Sequence, residues 1–173
     1  MTMTTDRIRD IYDRKTRAMK AKPSFARATG TSTADLADGF ACTVTSGPHQ
    51  IAVDLPEADG GAGGGPSPGQ VMRSGVAACL AIGYRLWGVR LGVQLDAVTV
   101  DMTCELDARG QYGIEGVQVG WQKVAWTVRV VSDAPEEQVR RALDTADRLS
   151  PMLASLDRDI VRERVVEISP RKS

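Results

Sequence analysis

The stretch "SPGQVMRSGVAACLAIGYRLWGVRLGV", residues 67–93, predicts one long helix. Ser67 can cap its start, Pro68 suits the first helical position, and Gln70, three residues on from Ser67, completes a capping box. At the other end Gly92 offers a left-handed stop and Arg90 complements the negative end of the helix dipole. In between, Val71, Met72, Val76, Ala77, Ala78, Leu80, Ala81, Ile82, Tyr84, Leu86, Trp87 and Val89 cover nearly every face around the middle turns. A helix apolar almost all round belongs at the centre of a fold. Cys79 sits among its alanines, and its position raises the question of a nucleophile held in a dry pocket.

Upstream, "TTDRIRDIYDRKTRAMKAKP" places Ile8, Ile11, Tyr12, Ala18 and Met19 at helical spacing, and Pro23 ends the run. This predicts an amphipathic arm over residues 1–23. Residues 24–173 are expected to form a single domain. Strand patterns follow: "FACTVT" and "HQIAVDL" flank "SGP", a hairpin signal. The segment "ADGGAGGGPSPGQ" then breaks the pattern with glycines and prolines, and reads as a flexible connector. It holds no lysine and neither GxxxxGK[ST] nor GxGxxG, so a phosphate-binding loop is not supported.

Downstream, Val98, Val100, Met102, Cys104 and Leu106 alternate with Thr99, Asp101, Thr103 and Glu105, as in a half-buried strand. "DARG" makes a turn. Val124, Trp126, Val128 and Val130 alternate in the next strand. "SDAPEEQVRRALDTADRLSP" is a second helix, with Asp133 and Glu136 fitting a capping box and Val139, Ala142, Leu143 and Ala146 on its inner face. Ser150 caps a short helix that starts at Pro151, and "RERVVEI" closes as a strand. Strands and helices in separate blocks indicate an α+β fold, with a curved antiparallel sheet wrapped on the apolar helix.

The chain has 173 residues, enough for a core without metals or disulfide staples. Lys and Arg number 22, as do Asp and Glu. A formal charge of zero argues against nucleic acid or an anionic membrane as a main partner. The first 22 residues hold an excess of positive charge, read here as surface electrostatics. Three cysteines, Cys42, Cys79 and Cys104, show neither zinc spacing nor a disulfide framework, so no metal is expected. With no signal core and no apolar run long enough for a bilayer, the reading is a reduced, cytoplasmic protein. His49, beside Pro48, reads as a solvated turn residue. No GxSxG elbow supports a Ser-His-Asp hydrolase. Trp87, Trp121 and Trp126 read as core or interface anchors.

The glycine-rich loop, the helix of residues 67–93, the strand pair containing "DARG", the "APEEQVRRALDTADRLSP" helix and the final strand together resemble the OsmC/Ohr family. The resemblance runs from about Phe40 to Ile168, and the arm up to Pro23 looks like an extension of one OsmC-like branch. It implies an OsmC-like fold: an intertwined homodimer with curved antiparallel sheets packed around long central apolar helices and sites at the subunit interface. It also implies thiol-dependent reduction of organic hydroperoxides, with no cofactor. One cysteine attacks the peroxide and becomes a sulfenic acid, a second condenses with it to a disulfide, and an external thiol reduces that disulfide.

On this resemblance Cys79, in "GVAAC", stands at the peroxide-attacking position. The resolving cysteine should open a "CP" dipeptide, but Ser150 precedes Pro151 here. A glutamate should follow the proline at the helix start, where Gly69 stands. An activating arginine belongs in the N-terminal strand region, and Arg27 is the nearby residue. A thiol must ionise to attack a peroxide, and an apolar helix interior favours the neutral form unless a cation is close. Arg73 and Arg85 are each six residues from Cys79, off its face of the helix. Cys42 and Cys104 read as packing residues. Two functions are therefore expected as alternatives. One is a single-cysteine hydroperoxide reductase in oxidative-stress defence that uses Cys79 and an external thiol. The other is a non-catalytic dimer that binds a small hydrophobic ligand.

Overall fold

A computed structural model describes residues 4–171. The chain divides into two compact units, Met1–Met72 and Arg73–Ser173, each taken by itself below.

The first unit opens with helix α1, Thr5–Ala21, whose first turn is capped by the Thr4 side chain accepting from the Arg7 N–H. A single 3-10 turn follows from Pro23. Strands β1 (Thr33–Leu36), β2 (Cys42–Ser46) and β3 (His49–Val53) form an antiparallel sheet in that order. The predicted hairpin is β2–β3. Ser46 pairs with His49 across a two-residue loop, where Gly47 takes φ 57°, the sign that tight hairpin turns require at the first loop position.

The glycine-rich segment is not a slack connector. It folds around the buried carboxylate of Asp54, which accepts hydrogen bonds from the N–H groups of Leu55 (2.7 Å), Ala62 (3.1 Å) and Gly64 (3.0 Å). The glycines are there for space. A Cβ on Gly61 would stand 2.0 Å from the Leu55 carbonyl oxygen, and one on Gly65 would stand 2.5 Å from that of Ala52.

The Gly64 N–H, helped by those of Leu55 and Ala62 and opposed by burial, holds the Asp54 carboxyl below the usual carboxylate range. A lowered folded value means that this contribution to stability is full above the ordinary range and lost as pH falls through the folded value. Asp54→Asn is accordingly expected to flatten the acid limb of a pH series of thermal melts. An unchanged acid limb would show that the cradle carries no stability.

Helix α2, Pro68–Leu91, begins in the first unit and continues in the second. Its predicted capping box forms in full: the Ser67 N–H donates to Gln70 Oε1 (2.7 Å) and the Gln70 N–H to Ser67 Oγ (3.3 Å). Its end is a Schellman motif. Gly92 has φ 72°, the Val93 N–H donates to the Gly88 carbonyl (2.8 Å) and the Gly92 N–H to that of Val89 (3.3 Å).

In the second unit β4 (Ala97–Leu106), β5 (Trp121–Val131) and β6 (Val161–Ser169) form a sheet with β5 in the centre. β4 and β5 are antiparallel, as expected, but β6 runs parallel to β5. Helices α4 (Glu136–Arg148) and α5 (Pro151–Ser155) supply the crossover that a parallel neighbour needs. "DARG" contributes a helical turn, α3 (Ala108–Gln111), capped by Asp107. The core lies between Val76, Leu80 and Tyr84 of α2, the inner residues Val124, Trp126, Val128 and Val130 of β5, and Val139, Leu143 and Ala146 of α4. The outer face of the sheet is charged: Lys123 pairs with Glu163 (2.9 Å), and Arg129 pairs with Glu167 (3.0 Å) and with Asp101.

Two further expectations are corrected, and one feature of α2 is left open. Leu106 leaves the inner face of β4 because the register shifts between Glu105 and Leu106, and its side chain is exposed. Asp133 does not cap α4; it accepts from the Arg171 N–H (2.9 Å), while the Pro135 carbonyl takes the Gln138 and Val139 N–H groups. Helix α2 is not covered all round within one chain. Leu80 is 1% exposed, but Ile82 is 68% exposed and Met72 53%.

Gly88 lies where α2 meets the following turn. A Cβ there would stand 2.9 Å from the Val93 carbonyl oxygen and 3.0 Å from Leu95 Cγ. Alanine normally stabilises a helix interior by about 1 kcal/mol over glycine. Here overpacking reverses the sign, and Gly88→Ala is expected to cost about 1–3 kcal/mol. Gly75→Ala, whose Cβ would meet only Met152 Cε at 3.9 Å, is expected to raise the melting temperature instead. Equal shifts from the two would refute the packing account.

Candidate functional site

Cys79 is half-buried on the second turn of α2 beyond Arg73, between Val76 and Leu80 of the buried stripe and the exposed Ile82. It opens into a pocket of about 380 Å³ whose walls are Ile82, Gly83, Leu86 and Trp87 of α2 with Ala146, Leu149, Ser150 and Pro151 from the α4–α5 junction. The lining is almost wholly apolar, apart from the Cys79 sulfur and the Ser150 hydroxyl. Glycine at 83 keeps this wall thin, with Ala146 Cβ 4.0 Å from where a Cβ would stand. Arg90 stacks on Trp87, 4.4 Å from the ring centroid.

Two residues far apart in sequence thus line one pocket, as the α4–α5 corner turns beside the middle of α2. Ser150 sits there because it ends one helix and caps the next. Its Oγ accepts from the Leu153 N–H at 3.3 Å, and it is buried. Chemically the pocket can hold an apolar group against a thiol. It offers no second sulfur, so a disulfide cannot close within it.

The other residues singled out in the sequence go elsewhere. Arg73 donates from Nη1 to the sulfur of Cys104 at 3.6 Å, so the one arginine–thiol contact in the second unit among the described residues is not at Cys79. Cys104 is half-buried on the inner face of β4, against the core. In the first unit Cys42 lines a separate apolar pocket of about 560 Å³ with Leu36, Phe40, Val53, Val71 and Met72. Arg27 follows the 3-10 turn and is exposed, and Gly69 has open space where a side chain would stand. His49 starts β3 and is exposed. All three cysteines are free thiols.

Residues behind the pocket were not legible in advance. Tyr84, beyond Cys79 along α2, is fully buried and donates to Asp147 Oδ1 at 2.7 Å, while the Trp126 indole N–H donates to the Tyr84 oxygen at 2.9 Å. Arg164 of β6 closes on Asp147 and Asp144. Burial, the largest influence, pushes the Asp147 carboxyl up against the pull of Tyr84 and Arg164; burial and Asp147 push the Tyr84 phenol up. This network fixes α2, α4 and β5 together directly behind the Ala146 wall. Among the described residues no group of three or more His, Cys, Asp or Glu side chains could hold a metal ion. No helix there is long and apolar enough to cross a membrane.

With this geometry in place, the sequence matches the family described as OsmC-like protein over residues 60–163, more than half of the chain. The chain belongs to the OsmC-like protein family.

Its fold agrees. The OsmC-like chain superposes on an OsmC like protein from Mycoplasma pneumoniae with a TM-score of 0.71 and 18% identity, covering 82% of this chain and 97% of that one. An organic hydroperoxide resistance protein OsmC from Legionella pneumophila matches with a TM-score of 0.63 and 18% identity, over 81% of this chain and 97% of that one. The organic hydroperoxide resistance protein OhrB of Bacillus subtilis matches with a TM-score of 0.55 and 19% identity, over 81% and 98%. No curated protein matches the sequence. At these identities the structural likeness establishes the α+β, OsmC-like fold of this protein.

Proposed function

We propose that this OsmC-like protein reduces organic hydroperoxides through Cys79 alone, with an external thiol as reductant. The observation that supports it is the shared pocket. Cys79 and Ser150, which on the family resemblance occupy the attacking and resolving positions, line the same apolar cavity. In the proposed cycle the Cys79 thiolate attacks the distal oxygen of ROOH, the O–O bond breaks, and the alkoxide leaves to take a proton from water. Cys79 is then a sulfenic acid. A small thiol condenses with it, releasing water and leaving a mixed disulfide. A second thiol exchanges onto that disulfide and restores the Cys79 thiol. The apolar walls suit alkyl or lipid hydroperoxides. The cation that would stabilise the thiolate is proposed to come from outside the pocket.

The reading includes a homodimer, supported by the apolar residues of α2 left uncovered in one chain, and a reducing cytoplasmic setting, consistent with three free thiols. It treats residues 1–23 as an extension before one OsmC-like domain over 24–173. A second reading, a dimer that binds a small hydrophobic ligand without turnover, is favoured by the apolar pocket around Cys42.

Intact mass after brief exposure to a bulky organic hydroperoxide, with a sulfenic-acid trap present, tests the first reading. One trapped adduct is expected on wild type and none on Cys79→Ser. If folded wild type gives no adduct, the peroxidase reading fails and the binding protein stands. An adduct that survives in Cys79→Ser would move the chemistry to another thiol.

A further inference from the structure

The formal charge of zero conceals an uneven distribution. From Arg14 to Arg27, "RKTRAMKAKPSFAR", the sequence holds Arg14, Lys15, Arg17, Lys20, Lys22 and Arg27 and no acidic residue. The acids of α1, Asp6, Asp10 and Asp13, all lie before this stretch. All six cations are exposed, and among the described residues none is ion-paired with a carboxylate. Two large apolar side chains stand in the open among them, Met19 at 41% and Phe25 at 62% exposure.

The arrangement follows from helical spacing. Ile8, Ile11, Tyr12, Lys15, Ala18 and Met19 recur at intervals of three and four, so they form one stripe along α1, and the three acids fall on the side opposite it; Lys22 follows as the C-cap. The first part of the stripe, Ile8, Ile11 and Tyr12, is half-buried; the rest is exposed. Lys22 Nζ lies 4.7 Å from the Phe25 ring centroid and Lys15 Nζ 6.0 Å from that of Tyr12, so the lysine stems run beside the apolar groups and carry their charges outward.

We propose that the Arg14–Arg27 segment is a docking surface for an anionic lipid bilayer. The charge is complementary to acidic headgroups, each basic residue near such a surface adding attraction, and Met19 and Phe25 are placed to enter the acyl boundary between the lysines. Nucleic acid would draw on the same cations through its phosphates, but it offers no acyl layer for the exposed Met19 and Phe25. The contact is peripheral and reversible, and it does not depend on the peroxidase reading.

Sedimentation of the whole protein with vesicles tests it. Binding is expected to vesicles of equimolar phosphatidylglycerol and phosphatidylcholine, to weaken as salt is raised, and to be absent with phosphatidylcholine alone. Lys15→Glu/Lys20→Glu/Lys22→Glu should bind at least about 100-fold more weakly. Phe25→Ala should bind about 10-fold more weakly at unchanged charge. All four side chains are exposed, so melting curves like that of wild type should accompany both variants. Cys79→Ser should bind as wild type does, which keeps this outcome separate from the chemistry of the pocket. The proposal is overturned if folded wild type ignores the anionic vesicles, if neutral vesicles bind it equally, or if charge reversal changes nothing. It is overturned too if a single-stranded RNA oligomer displaces the protein at equal phosphate, which would make nucleic acid the occupant.

Discussion

Ser150→Cys is expected to change the product of peroxide treatment from a trappable sulfenic acid at Cys79 to an intramolecular disulfide. Both side chains line one pocket, so the new thiol would stand where the hydroxyl now is. Condensation of the Cys79 sulfenic acid with the introduced thiol releases water and joins the sulfurs, and a dithiol reverses it. Intact mass should show the loss of two hydrogens relative to the reduced variant, and the trap adduct should fall by about 10-fold or more because intramolecular attack outruns the trap. Ser150 also caps α5, so the substitution removes the bond to the Leu153 N–H and costs about 1 kcal/mol. Ser150→Ala carries that same cost without a thiol and serves as the control. A variant that still accumulates the adduct and forms no disulfide would remove Ser150 from the resolving position.

Tyr84→Phe is the second large effect. The lost hydroxyl joins a buried indole N–H to a half-buried carboxylate, so its removal leaves Trp126 without its acceptor and Asp147 with Arg164 as its remaining donor. The orphaned indole N–H costs about 1–3 kcal/mol and the hydrogen bond lost to the carboxylate adds to it, for a combined loss of about 2–4 kcal/mol. For a chain of this size that lowers the melting temperature by about 4–16 °C. The penalty should depend on pH. Burial raises the Asp147 carboxyl, so in the fold it takes up its proton at a higher pH than it does unfolded. Its ionised form therefore costs stability as pH rises from the unfolded value through the folded one, and is absent below both. The Tyr84 hydroxyl relieves that ionised form. The difference between wild type and Tyr84→Phe should be full near neutrality and shrink in acid. A pH-independent difference would mean that the phenol acts through Trp126 and not through Asp147.

Much of this was open to reading where the signal is local. The capping box of Ser67 and Gln70, the Gly92 stop and the inner faces of β5 and α4 depend on residues within a few positions of one another, and local spacing determines them. What escaped depends on partners distant in the chain. Asp133 looked like a cap for α4, but Arg171, far along the chain, takes its carboxylate. The departure of Leu106 from alternation arises from the register against Trp121 and Lys123, which no single strand reveals. The glycine segment looked loose because glycine carries no side chain to suggest a contact; its constraint is the carboxylate of Asp54. An acidic residue closing the apolar strand "HQIAVDL" beside so many glycines was the available signal. Cys79 and Ser150 could be paired only through the family resemblance, because periodicity cannot join residues on different helices. Arg73 was correctly excluded from Cys79 by helical geometry, but no local pattern assigned it to Cys104.

The parallel partnership of β5 and β6 also bears on synthesis. β4 and β5 can pair as soon as both have left the ribosome, but the other edge of β5 waits for residues 161–169, made only after α4 and α5. Until then its backbone donors and acceptors are open to any passing strand. The helix-bearing crossover that lets the sheet close therefore also sets an interval during translation in which the nascent chain is most exposed to mispairing and most in need of a chaperone.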